Sequence, residues 1–440
     1  MKFHSIESSN DVEVGAQKGR GLGVAFFVLA ILVLLPIDWF SVTGEPLREV
    51  GAKPAILLMI LTSLWIFFKR FLFNSTFRFP SVVFGEFILI LFLGLFAFFI
   101  SVSTDKVDFG YFKKPLIQFV SQASLLAAFF FVIFVMSFYF RDANHRSLVV
   151  RLLPWAALLH LTVFILEAIG LLHDNAGWLL LFRVDGGAIE RSTGLMSEPS
   201  YFGIMAALFG MPLILMGIYK TILYRILGWG LLFCAYSISA KSMFMVMAFQ
   251  LAIYILFRWK QLSFFKIAII FLGFIIAGAY MATERKVFNL EENMSSANRF
   301  GSTLLAINLA SNGYCISGVG TGQFHFFFKE KFAPSFLLLS KEARMQFKRS
   351  AHSRASTYNL FVRLLVESGL LGLLFFLDII RRALKKSRFS VDATSQLGIM
   401  LVSGSIGFLM TQDTYFYPPL ALGLALTLSS SKTIGLKLES

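Results

Sequence analysis

The chain has only two cysteines, Cys234 and Cys315, and 25 acidic residues against 40 basic ones. Cys234 sits inside an apolar run and Cys315 in a long polar stretch, so no disulfide between them is expected. Charged residues make up only 15% of the sequence. Hydrophobic residues make up 57%, Phe alone fills 52 positions, and the mean hydropathy is +0.74. A soluble core cannot absorb that much apolar surface, so the composition is that of an integral membrane protein. The net charge of +15 therefore points to basic loops on one membrane face and not to nucleic acid. No Walker-type glycine loop is present, and no Asp-x-Asp pair that would hold a metal-bound nucleotide sugar. The six histidines (His4, His145, His160, His173, His325 and His352) are scattered without metal-ligand spacing. No metal and no cofactor are expected. No cleavable signal peptide is expected either, because the apolar run from Leu22 ends at Trp39 without a small-residue cleavage pattern.

A helix needs ~20 mostly apolar residues to cross the hydrocarbon core. Twelve such runs are legible: 22–40, 54–73, 82–101, 116–140, 148–171, 201–219, 222–239, 242–258, 264–282, 357–380, 394–411 and 415–431. The expected fold is an all-α polytopic membrane protein with one large external loop. It divides into an N-terminal tail (1–21), nine spans (22–282), the loop (283–356), three more spans (357–431) and a C-terminal tail (432–440).

Charge sets the direction. Alternate connections, from Lys18 and Arg20 through Arg141 and Arg146 to the Arg381–Arg388 cluster, collect 21 basic residues, and the short connections of the other set hold 8. The excess marks the first set, and both termini, as cytoplasmic. The 283–356 loop and the 172–200 connection then face outward, which in a bacterium is the periplasm or the cell surface. No ATP is available there, so any bond made on that face must draw on a pre-activated, lipid-borne substrate.

Four segments place unusual residues on that face. The first is Arg191-Ser-Thr-Gly-Leu-Met-Ser-Glu198-Pro199-Ser200-Tyr201. Ser197, Glu198 and Pro199 suit a helix start. Arg191, with only Glu190 as a near acid, has a fork free to grip a phosphate or a lipid headgroup. The second is Lys241 in the hairpin between two runs, either a helix-end cation or a second phosphate contact. The third is Asn298-Arg299-Phe300-Gly301, followed by Gly318-Val-Gly320-Thr-Gly322. These glycines allow a tight turn, or a nest of N–H groups for an anion. The fourth is His352-Ser-Arg354, then Tyr358-Asn359, Arg363, and Leu-Leu-Val-Glu367-Ser-Gly369-Leu-Leu-Gly372. Arg363 and Glu367 are four apart and share a helix face, so an ion pair is expected, facing the bundle interior. His352 is suited to act as a base near neutral pH, or is a plain loop histidine.

The order of these segments resembles the O-antigen polymerase and O-antigen ligase superfamily of bacterial envelope glycosyltransferases, most strongly over 185–375. The resemblance implies a GT-C-like, metal-independent, inverting transferase of about twelve spans. Its donor and acceptor would be glycans on undecaprenyl pyrophosphate, with the lipid bilayer and a chain-length regulator protein as further partners. It implies pyrophosphate or substrate contacts from Arg191, Lys241, Arg299, Arg354, Gly318 and Gly320. The catalytic candidates are His352, Glu198 and Tyr358. Lys241 stands where ligases usually carry Arg, and Tyr358 where they carry the catalytic His, which leans toward a polymerase over a ligase.

The loop's ten basic and five acidic residues suit an anionic substrate. Phe324, Phe326 to Phe328, Phe332 and Phe336 suit either an amphipathic element on the membrane or packing over helix ends. A transporter or flippase is the alternative of another class. It would concentrate polar features near the midplane, whereas here the spans hold few charges (Glu86, Glu167, Arg363 and Glu367). Reporter fusions test the orientation: activity specific to the cytoplasm is expected at both termini, and activity specific to the outside within 283–356.

Overall fold

The computed structural model describes residues 23–37, 53–73, 81–103, 113–171, 195–196, 199–238, 242–258, 294–327, 357–387 and 392–429. Every regular element among them is helical. The helices are α1 (Gly23–Leu34), α2 (Pro54–Phe73), α3 (Ser81–Ser103), α4 (Lys113–Tyr139), α5 (Ala143–Ala168), α6 (Pro199–Leu215), α7 (Ile222–Ser237) and α8 (Ser242–Arg258). They continue with α9 (Met294–Leu309), a π turn (Ala310–Tyr314), the short α10 (Phe324–Phe327), α11 (Leu360–Ser387), α12 (Ala393–Leu409) and α13 (Pro418–Ser429). Helices α3, α4, α5 and α11 are long and apolar enough to cross a membrane, and seven others carry shorter apolar stretches. Each expected run is occupied by a helix except 264–282, which lies outside the described residues.

Of the boundaries that differ from the hydrophobic runs, two have a plain physical reason. Helix α11 continues to Ser387. Its last turns carry Asp378, Arg381 and Arg382, which pair with one another at helical spacing, and Arg382 also reaches Glu86 of α3 at 2.8 Å. This gives Glu86 a partner. The last helix starts at Pro418 and not at 415, because a proline fits the first helical position, where no N–H is needed. Residues 411–417 form an irregular connection in which Tyr415, Phe416 and Tyr417 are buried.

The centre of the bundle is the pair α12 and α13, whose residues are nearly all buried. Helix α12 packs on α5, α6, α8 and α11, and α13 packs on α2, α4 and α11. Small residues allow this. A Cβ on Gly407 would lie 2.7 Å from the Met245 carbonyl, and one on Gly423 would lie 2.9 Å from the Val402 nitrogen. In a bilayer such close backbone approach is what holds helices together, because lipid is as apolar as the side chains.

Part of the expected external loop is not external to the bundle. After α9 and the π turn, residues 315–323 push between α3 and α11. Helix α11 accommodates them by breaking at Gly369, which has φ 71° and ψ 178°. The Val366 carbonyl accepts from Val319 N–H (2.8 Å), the Glu367 carbonyl accepts from Gly320 N–H (2.9 Å), and Leu370 N–H donates to the Cys315 carbonyl (2.7 Å). On the other side Thr321 N–H faces the Gly94 carbonyl of α3 at 3.4 Å, and Ser101 Oγ donates to the Val319 carbonyl (2.8 Å). Counting 1.5 Å per residue, Gly369 lies about 14 Å into α11, near half of a ~30 Å hydrocarbon core. Phe324 and Phe327 are buried with Tyr314, Leu305 and Val366 in a small second core, so they pack within the protein. Phe328, Phe332 and Phe336 lie outside the described residues.

The break admits only glycine. A Cβ on Gly369 would lie 2.1 Å from the Ile316 carbonyl oxygen, and one on Gly320 (φ 101°) would lie 2.7 Å from Phe98 Cα. Gly369→Ala is expected to cost at least roughly 2–3 kcal/mol, seen as a lower thermal midpoint of the purified protein. Gly85→Ala serves as the control, since a Cβ there meets nothing within 4 Å; it should leave the midpoint unchanged or slightly raised.

Candidate functional site

Helices α6, α8 and α11 begin, and α12 finishes, at the same end of the bundle. Ser242 Oγ, at the start of α8, donates to the Ser200 carbonyl at the start of α6 (2.7 Å). The Tyr201 ring meets Phe408 near the end of α12. One step further, the Met410 carbonyl accepts from Asn359 Nδ2 (3.3 Å). Asn359 starts α11 in the usual way for an N-cap, its Oδ1 accepting from Phe361 and Val362 N–H.

Helix α9 closes the cluster. Thr303 Oγ1 donates to the Thr357 carbonyl (2.9 Å). One turn earlier on the same face, the Arg299 guanidinium lies 5.9 Å from the centre of the Tyr358 ring, within cation–π range. Tyr358 is held at φ 51°, a left-handed conformation that is strained for a bulky residue. Asp413, in the 411–417 connection, fixes the preceding residue. Its Oδ2 accepts from Thr357 N–H (2.9 Å) and Thr357 Oγ1 (3.2 Å). Burial pushes the Tyr358 phenol above its usual range, the Asp413 carboxylate adds to this, and Arg299 opposes both. Tyr358 thus presents its ring to Arg299 and places a phenol beside it. The cluster offers a half-buried guanidinium, a phenol and a carboxylate at the edge of the bundle.

Beneath it lies a second polar centre. The expected Arg363–Glu367 pair forms, with Nε 3.3 Å from Oε2, and both side chains are buried. Arg363 Nη1 donates to the Asp413 carbonyl (2.6 Å) and Nη2 to Gln122 Oε1 (2.9 Å), and the guanidinium stacks 4.2 Å from the Tyr415 ring centre. Glu367 Oε2 also accepts from Gly322 N–H (2.7 Å) and from the Tyr415 hydroxyl.

Of the nine residues read from sequence as site candidates, Arg299 and Tyr358 come together. Gly318 and Gly320 do not form an open anion nest. Their N–H groups donate to the Tyr314 and Glu367 carbonyls, because the loop must satisfy its backbone inside the bundle. Glu198, Arg191, Lys241, His352 and Arg354 lie outside the described residues, although Ser200 and Ser242, close to two of them in sequence, are bonded to each other. Sequence reading missed Asp413, Gln122 and Tyr415. Asp413 did leave a trace, as the acid in the short polar break Thr411-Gln-Asp-Thr between two apolar runs. Comparison with protein-family models, with curated proteins and with solved structures finds no match.

Removing one partner of the buried pair strands the other. Arg363→Leu leaves Glu367 in an apolar interior and is expected to destabilise the protein by about 3–5 kcal/mol. The change would be read as a fall in the thermal midpoint, whereas Arg151→Leu, at an exposed position, should leave it within about 0.5 kcal/mol of the parent.

Proposed function

We propose that this chain is a twelve-span, GT-C-like glycosyltransferase of the bacterial cytoplasmic membrane. It joins undecaprenyl-pyrophosphate-linked oligosaccharide repeats into a long envelope polysaccharide on the periplasmic face, without metal and with inversion. The observation that carries the reading is the contact of Arg299 with Tyr358 at the bundle end where α6 and α8 begin. Those starts follow Glu198 and Lys241 directly in sequence, and Arg299 and Tyr358 come from the third and fourth of the segments that resemble this superfamily, whose glycines lie deeper, beside Glu367. An Arg fork there is suited to hold a pyrophosphate and to stabilise it as it leaves. Asp413 joins His352 and Glu198 as a carboxylate or imidazole candidate for taking up the acceptor hydroxyl's proton. A ligase that moves finished glycan onto lipid A core or protein shares all of this. The neutral phenol of Tyr358, where ligases carry a His, favours the polymerase.

A transporter reading draws on one observation, the break of α11 at Gly369 beside a re-entrant glycine loop, since broken helices near the midplane often line transport sites. Here the carbonyls of Val366 and Glu367 are taken by the loop, so they are not presented to a cargo. The enzyme reading is preferred for that reason.

Purified protein given a polyprenyl-pyrophosphate oligosaccharide and no nucleotide is expected to lengthen it. Arg299→Ala and Arg191→Ala should insert normally but lose roughly a hundredfold or more of the activity. Arg299→Lys should recover only part of it, because it keeps the charge and loses the fork. Normal ladder lengths in both alanine variants would sink the reading. Accumulation of intact lipid-linked polymer in a deletion strain, in place of single capped repeats, would shift it to the ligase.

A further inference from the structure

We infer that the buried Arg363–Glu367 pair is a positioning device for the Arg299–Tyr358 site, acting through Asp413 and Thr357. The inference rests on the function just proposed for that site. Two charges that only neutralise each other do so best as a bidentate fork on a carboxylate. Arg363 does not use that geometry. It offers Glu367 its Nε at 3.3 Å and commits its terminal nitrogens elsewhere, Nη1 to the Asp413 carbonyl and Nη2 to Gln122. Glu367 in turn is braced by Gly322 N–H of the re-entrant loop and by the Tyr415 hydroxyl. The guanidinium is therefore fixed from below and supports the 411–415 segment above it.

That segment passes the constraint upward. The Asp413 backbone is held by Arg363, and its side chain holds both the N–H and the hydroxyl of Thr357. The Thr357 carbonyl is held by Thr303, one helical turn from Arg299. Tyr358 follows at φ 51°. A bulky residue stays in such a conformation only when its surroundings over-determine it, and here both flanking residues are tied, Thr357 by Asp413 and Asn359 by Met410. The pair sits roughly 10 Å deeper along α11 than the site it sets. Misplacement of a reacting group by about 1 Å costs on the order of a hundredfold in rate. Loss of the brace should therefore act on turnover and not on substrate affinity.

The experiment measures backbone hydrogen exchange and kinetics on the full-length protein in detergent or nanodiscs. Glu367→Gln leaves Gly322 and Tyr415 only a weaker, neutral acceptor and removes the charge that braces Arg363. The expected result is faster exchange at 318–322 and also at 357–361. With it goes a fall in kcat of roughly tenfold to a hundredfold and a KM within about twofold of the parent. Arg363→Lys keeps the charge but loses the fork to Asp413, and should give the same release at 357–361. If Glu367→Gln does not accumulate as monodisperse protein, Tyr415→Phe removes one bond to the same carboxylate and should show the same pattern more weakly. Faster exchange confined to 318–322, with 357–361 unchanged, would overturn the inference and leave the pair purely structural. Transfer activity absent from the parent protein would count against the proposed function, while the exchange pattern would still decide the positioning role.

Discussion

Every hydrogen bond that α11 gives up at Gly369 has to be made again, because hydrocarbon offers no water to make it. That requirement shapes the middle of the protein. The loop after α9 supplies the missing donors and acceptor through Val319, Gly320 and Cys315. It can reach them only because glycine stands at 369 and 320, where a Cβ would strike backbone atoms. Helix α3 has to leave room as well, and does so with Gly94 beside Thr321. The charged pair then closes the joint, with one Glu367 oxygen serving the loop, the Tyr415 hydroxyl and Arg363 at once. A carboxylate at this depth is tolerable because it is paired and hydrogen-bonded.

The surrounding architecture follows from the same scarcity of water. Helices α12 and α13 are shielded on nearly all sides, and their glycines let neighbouring backbones come within contact distance. Two polar side chains at the centre bond to helix carbonyls: Gln250 Nε2 donates to that of Met400, and Ser405 Oγ to that of Leu401. Above this packed region the irregular 411–417 connection carries Asp413 to the start of α11. The chain thus builds a floor from its most buried helices and sets its half-buried Arg, Tyr and Asp on the rim.

Much of this was legible in the sequence. The apolar runs located the helices, and the spacing of Arg363 and Glu367 placed them on one face. The order of the motifs, and the resemblance it carries, singled out Arg299 and Tyr358, which meet. What stayed hidden were contacts made across long sequence separations. Nothing local says that Gly322 N–H will seek Glu367, 45 residues on. Nothing local says that Gln122 will meet Arg363, 241 residues on. The glycine run read equally well as a turn or as an anion nest, because both need the same φ > 0 residues. Only the neighbouring helix decides which it is, and α11 fills the nest with its own carbonyl and carboxylate. The 415–431 run misled at its start because Tyr415 to Tyr417 are as apolar as a span, yet they form the connection that braces it.

The central position of α12 and α13 also bears on how the protein is made. They follow in the chain most of the helices that enclose them, so α11 leaves the ribosome ahead of Asp413 and Tyr415. During that interval Arg363 lacks two of its partners, and Glu367 has the loop but not the phenol. Until those residues arrive, Gln122 of α4 and Gly322 of the loop are partners that already stand earlier in the chain. The bundle is complete only once the 411–417 connection and α13 have followed.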